Sequence, residues 1–204
     1  MSKSSRNLTK QKSVEYKLKP NDIVFTPSKV AKLMIDLCDI KSNDKVLDPS
    51  KGGGVFFDNL PECNKSYCEI TEDIDFFDAQ GKYDLIIGNP PYSLWTKWLK
   101  QTVKLNPNKI CYIFGLLNLT PTRLGILHEA GYIITKFHIC KVAWWFSPSF
   151  IVLFEKGNKE DTNITYTRKP FGCEICGQNN HICKRGRTVG GRKYGLNECS
   201  KLKS

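Results

Sequence analysis

The stretch Asp84-Leu85-Ile86-Ile87-Gly88-Asn89-Pro90-Pro91-Tyr92 brings together residue types that can activate an amine. The side-chain carbonyl of Asn89 and the backbone carbonyl of Pro90 can each accept a hydrogen bond from one exocyclic NH2. Two acceptors on a planar amine draw its lone pair out of conjugation and aim it at an electrophile. Tyr92 offers a flat face on which a base can stack. The apolar run Leu85 to Ile87 reads as a short buried strand, and the two prolines forbid both helix and ladder immediately afterwards. Asn89, Pro90, Pro91 and Tyr92 therefore occupy a stiff loop at the carboxyl end of a strand, where open α/β sheets bind ligands.

Elements on either side must position this loop. Lys45-Val46-Leu47 predicts a strand, followed by the turn Asp48-Pro49-Ser50-Lys51-Gly52-Gly53-Gly54 and a helix beginning at Val55-Phe56-Phe57. Glycines at 52 and 54 let backbone N–H groups approach a ligand closely. Ser66 to Glu69 predicts a second strand. Glu69 follows Asp48 by 21 positions, a spacing that suits an acid hydrogen-bonding ribose hydroxyls. Upstream, Thr26 is the expected N-cap and Pro27 the first residue of a helix whose apolar face is Val30, Leu33, Met34 and Leu37. Downstream, Leu94, Trp95, Trp98 and Leu99 form a helical stripe, and Ile110 to Leu117 a strand. A helix starts at Thr120-Pro121 and ends near Gly131. Tyr132 to Val142 and Phe150 to Phe154 form a hairpin whose connector holds Trp144, Trp145 and Phe146. Strands alternating with helices and closed by a hairpin give a mostly parallel, seven-stranded α/β sheet.

Taken in order, Phe25-Thr26-Pro27, the glycine turn, the acidic residue and Asn-Pro-Pro-Tyr resemble the gamma group of S-adenosylmethionine (SAM)-dependent N6-adenine methyltransferases. The resemblance covers about residues 22–155 and implies a Rossmann-like fold with SAM as cofactor. It implies that Phe25 and Thr26 contact the methionine end of SAM and that Asp48 holds its amino group. Gly52 and Gly54 line the cofactor, Glu69 binds its ribose, and Asp75 with Phe76 contacts its adenine. Asn89, Pro90, Pro91 and Tyr92 would hold the target amine, with Trp145 or Phe146 stacking on the other face of the flipped base. The same four letters also occur in glutamine-N5 methyltransferases acting on release factors. A catalytically inactive nucleic-acid-binding subunit is the further alternative.

Composition sets the outer limits. The chain of 204 residues is 40% hydrophobic, enough for one core. It shows neither a signal-peptide pattern nor an apolar run near the ~20 residues of a membrane span. Nine cysteines without a secretory signal predict thiols or metal ligands in a reducing compartment of the cell, cytoplasm or nucleus. The net charge of +11 sits at the ends: residues 1–20 carry +5, 21–155 carry −1 and 156–204 carry +7. A near-neutral body with basic ends predicts capture of a polyanion, DNA or RNA.

The predicted division is therefore a basic, disordered arm over 1–20, a methyltransferase domain over 21–156 and a basic appendage over 157–204. In the appendage, Cys173-x2-Cys176-Gly177, His181 and Cys183 have the types and spacing of a zinc-knuckle-like site, with Cys199 the rival fourth ligand. Related DNA enzymes carry a sizeable target-recognition domain, whereas about 48 residues follow the predicted body. A structured nucleic acid or a protein partner is expected to supply the missing recognition.

Overall fold

The computed structural model of the chain describes residues 24–142, Trp145, 148–158, and the pairs 188–189 and 192–193. The chain divides into two compact units, Met1–Tyr166 and Thr167–Ser204. The first holds one six-stranded sheet in the order β2-β1-β3-β4-β6-β5, built from β1 (Lys45–Asp48), β2 (Asn64–Tyr67), β3 (Leu85–Gly88), β4 (Lys109–Gly115), β5 (Tyr132–Cys140) and β6 (Ser149–Lys156). The four strands β2, β1, β3 and β4 are parallel, with Leu47 opposite Ile86 and Ile86 opposite Ile110. β6 runs antiparallel between β4 and β5, so the expected hairpin closes the sheet.

The sheet has six strands among the described residues where seven were expected. The segment between Tyr67 and Leu85 contains two 3-10 turns, Ile70–Glu72 and Phe76–Asp78, capped by Glu69 and Asp75. Asp73 and Gly81 turn the backbone through positive φ. Carboxylates that cap short turns compete with ladder formation, so no strand forms there. The helix expected after the glycine turn is also absent. A 3-10 turn, Phe57–Asn59, stands in its place, and Leu60 is extended (φ −59°, ψ 139°) ahead of Pro61. A residue before proline is driven out of the helical region, which leaves too few residues for an α-helix.

Side chains alternate across the strands with period two, and both faces are covered. On one face Leu47, Ile86, Ile110, Tyr112, Phe114 and Val152 pack against helices α2 (Trp95–Leu105) and α3 (Pro121–Glu129). On the other, Val46, Leu85, Ile87, Cys111, Ile113 and Ile151 pack against α1 (Ser28–Cys38). Most of these side chains are fully buried, so the two cores lock the strand ends that carry the functional loops.

Helix starts refine the sequence expectation. α3 starts where Thr120-Pro121 placed it, and Thr120 caps it by accepting from the Arg123 N–H. Thr26 does not cap α1: Pro27 takes the cap position with extended backbone, without a side-chain bond, and Thr26 is buried. The most buried face of α1 is Ala31, Met34, Ile35 and Cys38, with Val30, Leu33 and Leu37 flanking it. In the second unit, β7 (Thr188–Val189) pairs antiparallel with β8 (Arg192–Lys193). Among the described residues no helix is long and apolar enough to cross a membrane.

Candidate active site

The site forms where the carboxyl ends of β1 and β3 lie side by side. Gly88 ends β3 and Asp48 ends β1. A Cβ on Gly88 would lie 3.1 Å from Pro49 Cδ and 3.5 Å from Asp48 Oδ1. A side chain there would press the Pro49 ring away by a few tenths of an ångström, so glycine eases the close approach of the two ends.

The glycine turn is held from three directions. The Gly54 N–H donates to Lys51 O at 2.8 Å, and the Lys51 N–H to Cys68 O at 2.9 Å. The Gly52 N–H donates to Glu69 Oε2 at 2.7 Å. Lys51 Nζ lies 3.1 Å from Glu72 Oε1 and 4.0 Å from the Tyr67 ring centroid, which fastens the turn to the end of β2. Gly54 has φ +81°, and a Cβ there would lie 2.6 Å from Asp58 Oδ2. Gly54→Ala is therefore expected to cost about 1–2 kcal/mol through the left-handed backbone alone, before any displacement of Asp58. Thermal unfolding of the variant measures this, and an unchanged midpoint would contradict it.

The acidic residues surround this turn. Glu69 is nearly buried, and its second oxygen, Oε1, accepts from the Thr71 N–H at 3.0 Å and the Thr71 hydroxyl at 2.7 Å. Its carboxylate is thus fixed while lone pairs remain for a further donor. Asp75 is buried and accepts from the Phe77 N–H at 2.9 Å. The Gln101 amide, on α2, donates to both Phe76 O and Ala79 O at 3.1 Å and holds that turn in place. Phe76 is buried in the α2-side core and stacks on Trp98 at 4.4 Å.

Asp48 is the most unusual group. It is fully buried; Oδ1 accepts from the Ser50 N–H at 3.2 Å, while buried Oδ2 has no partner among the described residues. Burial pushes its pKa up to about 7, against the pull of the Ser50 and Phe57 amides, with Glu69 adding a smaller push in the same direction. A buried carboxylate oxygen without a hydrogen-bond partner among the described residues is complementary to a cationic amine.

The Asn89 loop joins the glycine turn and the N-terminal segment. Asn89 Nδ2 donates to Val24 O at 3.2 Å, and the Ser50 hydroxyl donates to Asn89 O at 3.4 Å. Because Val24 O can only accept, it fixes which way the Asn89 amide faces. Oδ1 is buried and unpartnered among the described residues. Pro90 is buried, and Pro91 is extended (φ −64°, ψ 122°) before the Tyr92–Leu94 turn. Tyr92 is half-buried, and burial pushes its phenol up to about 12, so it presents a neutral ring. Phe25 is 69% exposed and borders the turn: a Cβ on Gly53 would lie 3.6 Å from its ring.

The structure therefore brings together Phe25, Asp48, Gly52, Gly54, Glu69 and Asn89 through direct bonds and contacts. Trp145 is half-buried against the α1-side core, whereas Tyr92 packs on the α2 side. Phe146 lies outside the described residues, as do Cys173, Cys176, His181, Cys183 and Cys199. Among the described residues no cluster of His, Cys, Asp or Glu could hold a metal. The contributions of Val24 O and Ser50 to the site were not anticipated from the sequence. Backbone carbonyls carry no type signal, and Ser50 reads as turn filler.

No family model matches the chain. Two curated relatives from Haemophilus influenzae, the Type II methyltransferases M.HincII and M.HindII, are each 34% identical over 127 aligned positions, covering 50% of this chain. The chain spans about a quarter of their length, 25% and 24% respectively. Among solved structures, precorrin-6y C5,15-methyltransferase from Geobacter metallireducens superposes with a TM-score of 0.51 at 10% identity, covering 69% of this chain and 95% of that one. Magnesium protoporphyrin IX methyltransferase from Synechocystis, with bound SAM, gives 0.50 at 13% identity, covering 76% and 83%. The first unit of the chain has the Rossmann-like fold of SAM-dependent methyltransferases.

Proposed function

We propose that the chain is a SAM-dependent methyltransferase acting on the N6 amine of adenine in nucleic acid. The observation that carries this reading is Asn89 Oδ1, a buried acceptor without a partner among the described residues, on an amide held in one orientation by Val24 O. An unmet acceptor at the end of a strand is costly unless a ligand donor completes it. An exocyclic amine is such a donor. The relatives named as Type II methyltransferases add support over half the chain. The basic ends of the sequence suit a polyanionic substrate.

The residues present fit SAM. Asp48 Oδ2 suits its ammonium, the glycine turn admits close approach, and Glu69 has acceptor capacity for ribose hydroxyls. Bound SAM would supply an electrophilic sulfonium methyl. Asn89 Oδ1 and Pro90 O accept from the two N–H bonds of the amine and direct its lone pair. Tyr92 packs against the base as a neutral ring. Catalysis then comes from orientation and from polarising the amine, without a strong general base.

The amide of a protein glutamine presents the same NH2 to Asn89 and Pro90, so a glutamine-N5 substrate is the second reading. Incubation with methyl-labelled SAM and separate DNA, RNA and protein pools distinguishes them. Label in N6-methyladenine is the expected result, and label confined to protein would overturn it. For the appendage we propose one structural Zn²⁺ held by Cys173, Cys176, His181 and Cys183, on the strength of the Cys-x2-Cys-Gly spacing. Elemental analysis is expected to find one zinc per chain. A metal-free, folded and active protein would remove the claim.

A further inference from the structure

Helix α2 begins three residues after Tyr92, and its exposed face has one sign of charge. Lys97, Lys100 and Lys104 recur at i, i+3 and i+7 and are all exposed. The helix contains no acidic residue. Among the described residues, none of the three lysines is in an ion pair. By contrast, Lys32 on α1 has Asp36 one turn away.

At the head of this face stands Arg123, from the first turn of α3. Its Nε donates to Thr96 Oγ1 at 3.1 Å, and its Nη1 to Asn118 O at 3.2 Å and Asn118 Oδ1 at 3.0 Å. All three partners are uncharged. Folding thus fixes the guanidinium without neutralising it, and its Nη2 edge keeps two donors without a partner among the described residues. The ordering entropy of a long side chain has already been spent before any ligand arrives.

We propose that this face of α2, with Arg123 at its head, seats the sugar-phosphate backbone of the strand that carries the target base. The inference rests on the nucleic-acid reading of the active site. From Lys97 to Lys104 the helix advances about 10 Å. Duplex nucleic acid rises about 3.4 Å per nucleotide along a strand, so the lysines span roughly three phosphates. The stripe starts beside the Asn89 loop and runs away from it. A strand whose base enters that loop therefore lays its flanking phosphates along the lysines. Phosphate recognition also explains a helix with three exposed lysines and no acidic residue, since it needs charge and reach without base-edge geometry.

The test compares the full-length wild-type protein with K97Q/K100Q/K104Q and with K29Q/K32Q/K82Q, which removes equal charge from other exposed positions. Anisotropy of labelled single-stranded adenine-rich DNA and RNA is followed across a salt series. The α2 variant is expected to lose about 2 from the slope of log K against log salt, at roughly 0.7 for each single-strand phosphate no longer neutralised. Its affinity for SAM should equal that of wild type, and the control variant should keep the wild-type slope. Equal slopes for the two variants, with the wild type binding oligonucleotide, would overturn the α2 assignment and leave the nucleic-acid reading standing. A wild type that binds neither oligonucleotide overturns both.

Discussion

Asn89→Ala is expected to abolish measurable methyl transfer while leaving SAM affinity within about twofold of wild type. The expectation follows from where the two halves of the site are anchored. The polar groups proposed to hold the cofactor's ammonium and ribose, Asp48 and Glu69, lie at the ends of β1 and β2, and their geometry is set by bonds among Lys51, Gly52, Cys68 and Glu69. Asn89 touches that set through its backbone carbonyl, which the alanine variant keeps. The substitution removes the unpartnered Oδ1 and the bond to Val24 O. Loss of one fixed polar group that meets the developing charge of a transition state typically lowers turnover by about 10²–10³. Tyr92→Phe should retain most activity, because its ring rather than its hydroxyl is the proposed contact, whereas Tyr92→Ala should not. Isothermal calorimetry for SAM and single-turnover transfer assays separate binding from chemistry. An Asn89→Ala protein with wild-type turnover would contradict the site.

The second large effect concerns Asp48, where binding and stability oppose one another. Its folded-state pKa is raised from 3.8 to about 7 by burial. A raised carboxyl pKa contributes stability that is full below the unfolded value and is lost as pH rises through the folded one. The protein without ligand should therefore weaken between about pH 4 and pH 7, by an amount on the order of 4 kcal/mol at most. Asp48→Asn removes the titration. At pH 8 the variant is expected to melt at a higher temperature than wild type in the absence of SAM. It should also lose the charged interaction with the cofactor's ammonium, raising the Kd for SAM roughly tenfold to a hundredfold. In the wild type, SAM binding should weaken below about pH 7, because a proton must leave Asp48 first. An Asp48→Asn protein that binds SAM normally, or melts lower than wild type at pH 8, would refute this account. A destabilising group kept at a binding position is a familiar form of stability exchanged for function.

Much of the site could be read in the sequence because its signals are backbone rules. Positive φ at Gly52 and Gly54 and the proline-locked loop after Gly88 depend on residue type alone. The continuous apolar strands and the helix start at Thr120-Pro121 were legible for the same reason. What escaped was decided by competition between neighbours. Pro61 cut short the helix expected at Val55. Capping by Glu69 and Asp75 gave the segment between β2 and β3 two turns, so it adds no strand to the six described. The Thr26 expectation failed because its side chain turned inward and left the cap to Pro27. The Val24–Asn89 bond spans 65 positions and uses a backbone carbonyl, so no local pattern could announce it. It is nevertheless the contact that orients the Asn89 amide.

The most direct test is a crystal structure of the chain with S-adenosylhomocysteine and an adenine-containing oligonucleotide. The account predicts the adenine N6 within hydrogen-bond distance of both Asn89 Oδ1 and Pro90 O, stacked on Tyr92 and facing the cofactor sulfur. An adenine bound elsewhere, or an Asn89 Oδ1 turned toward another protein donor, would contradict it.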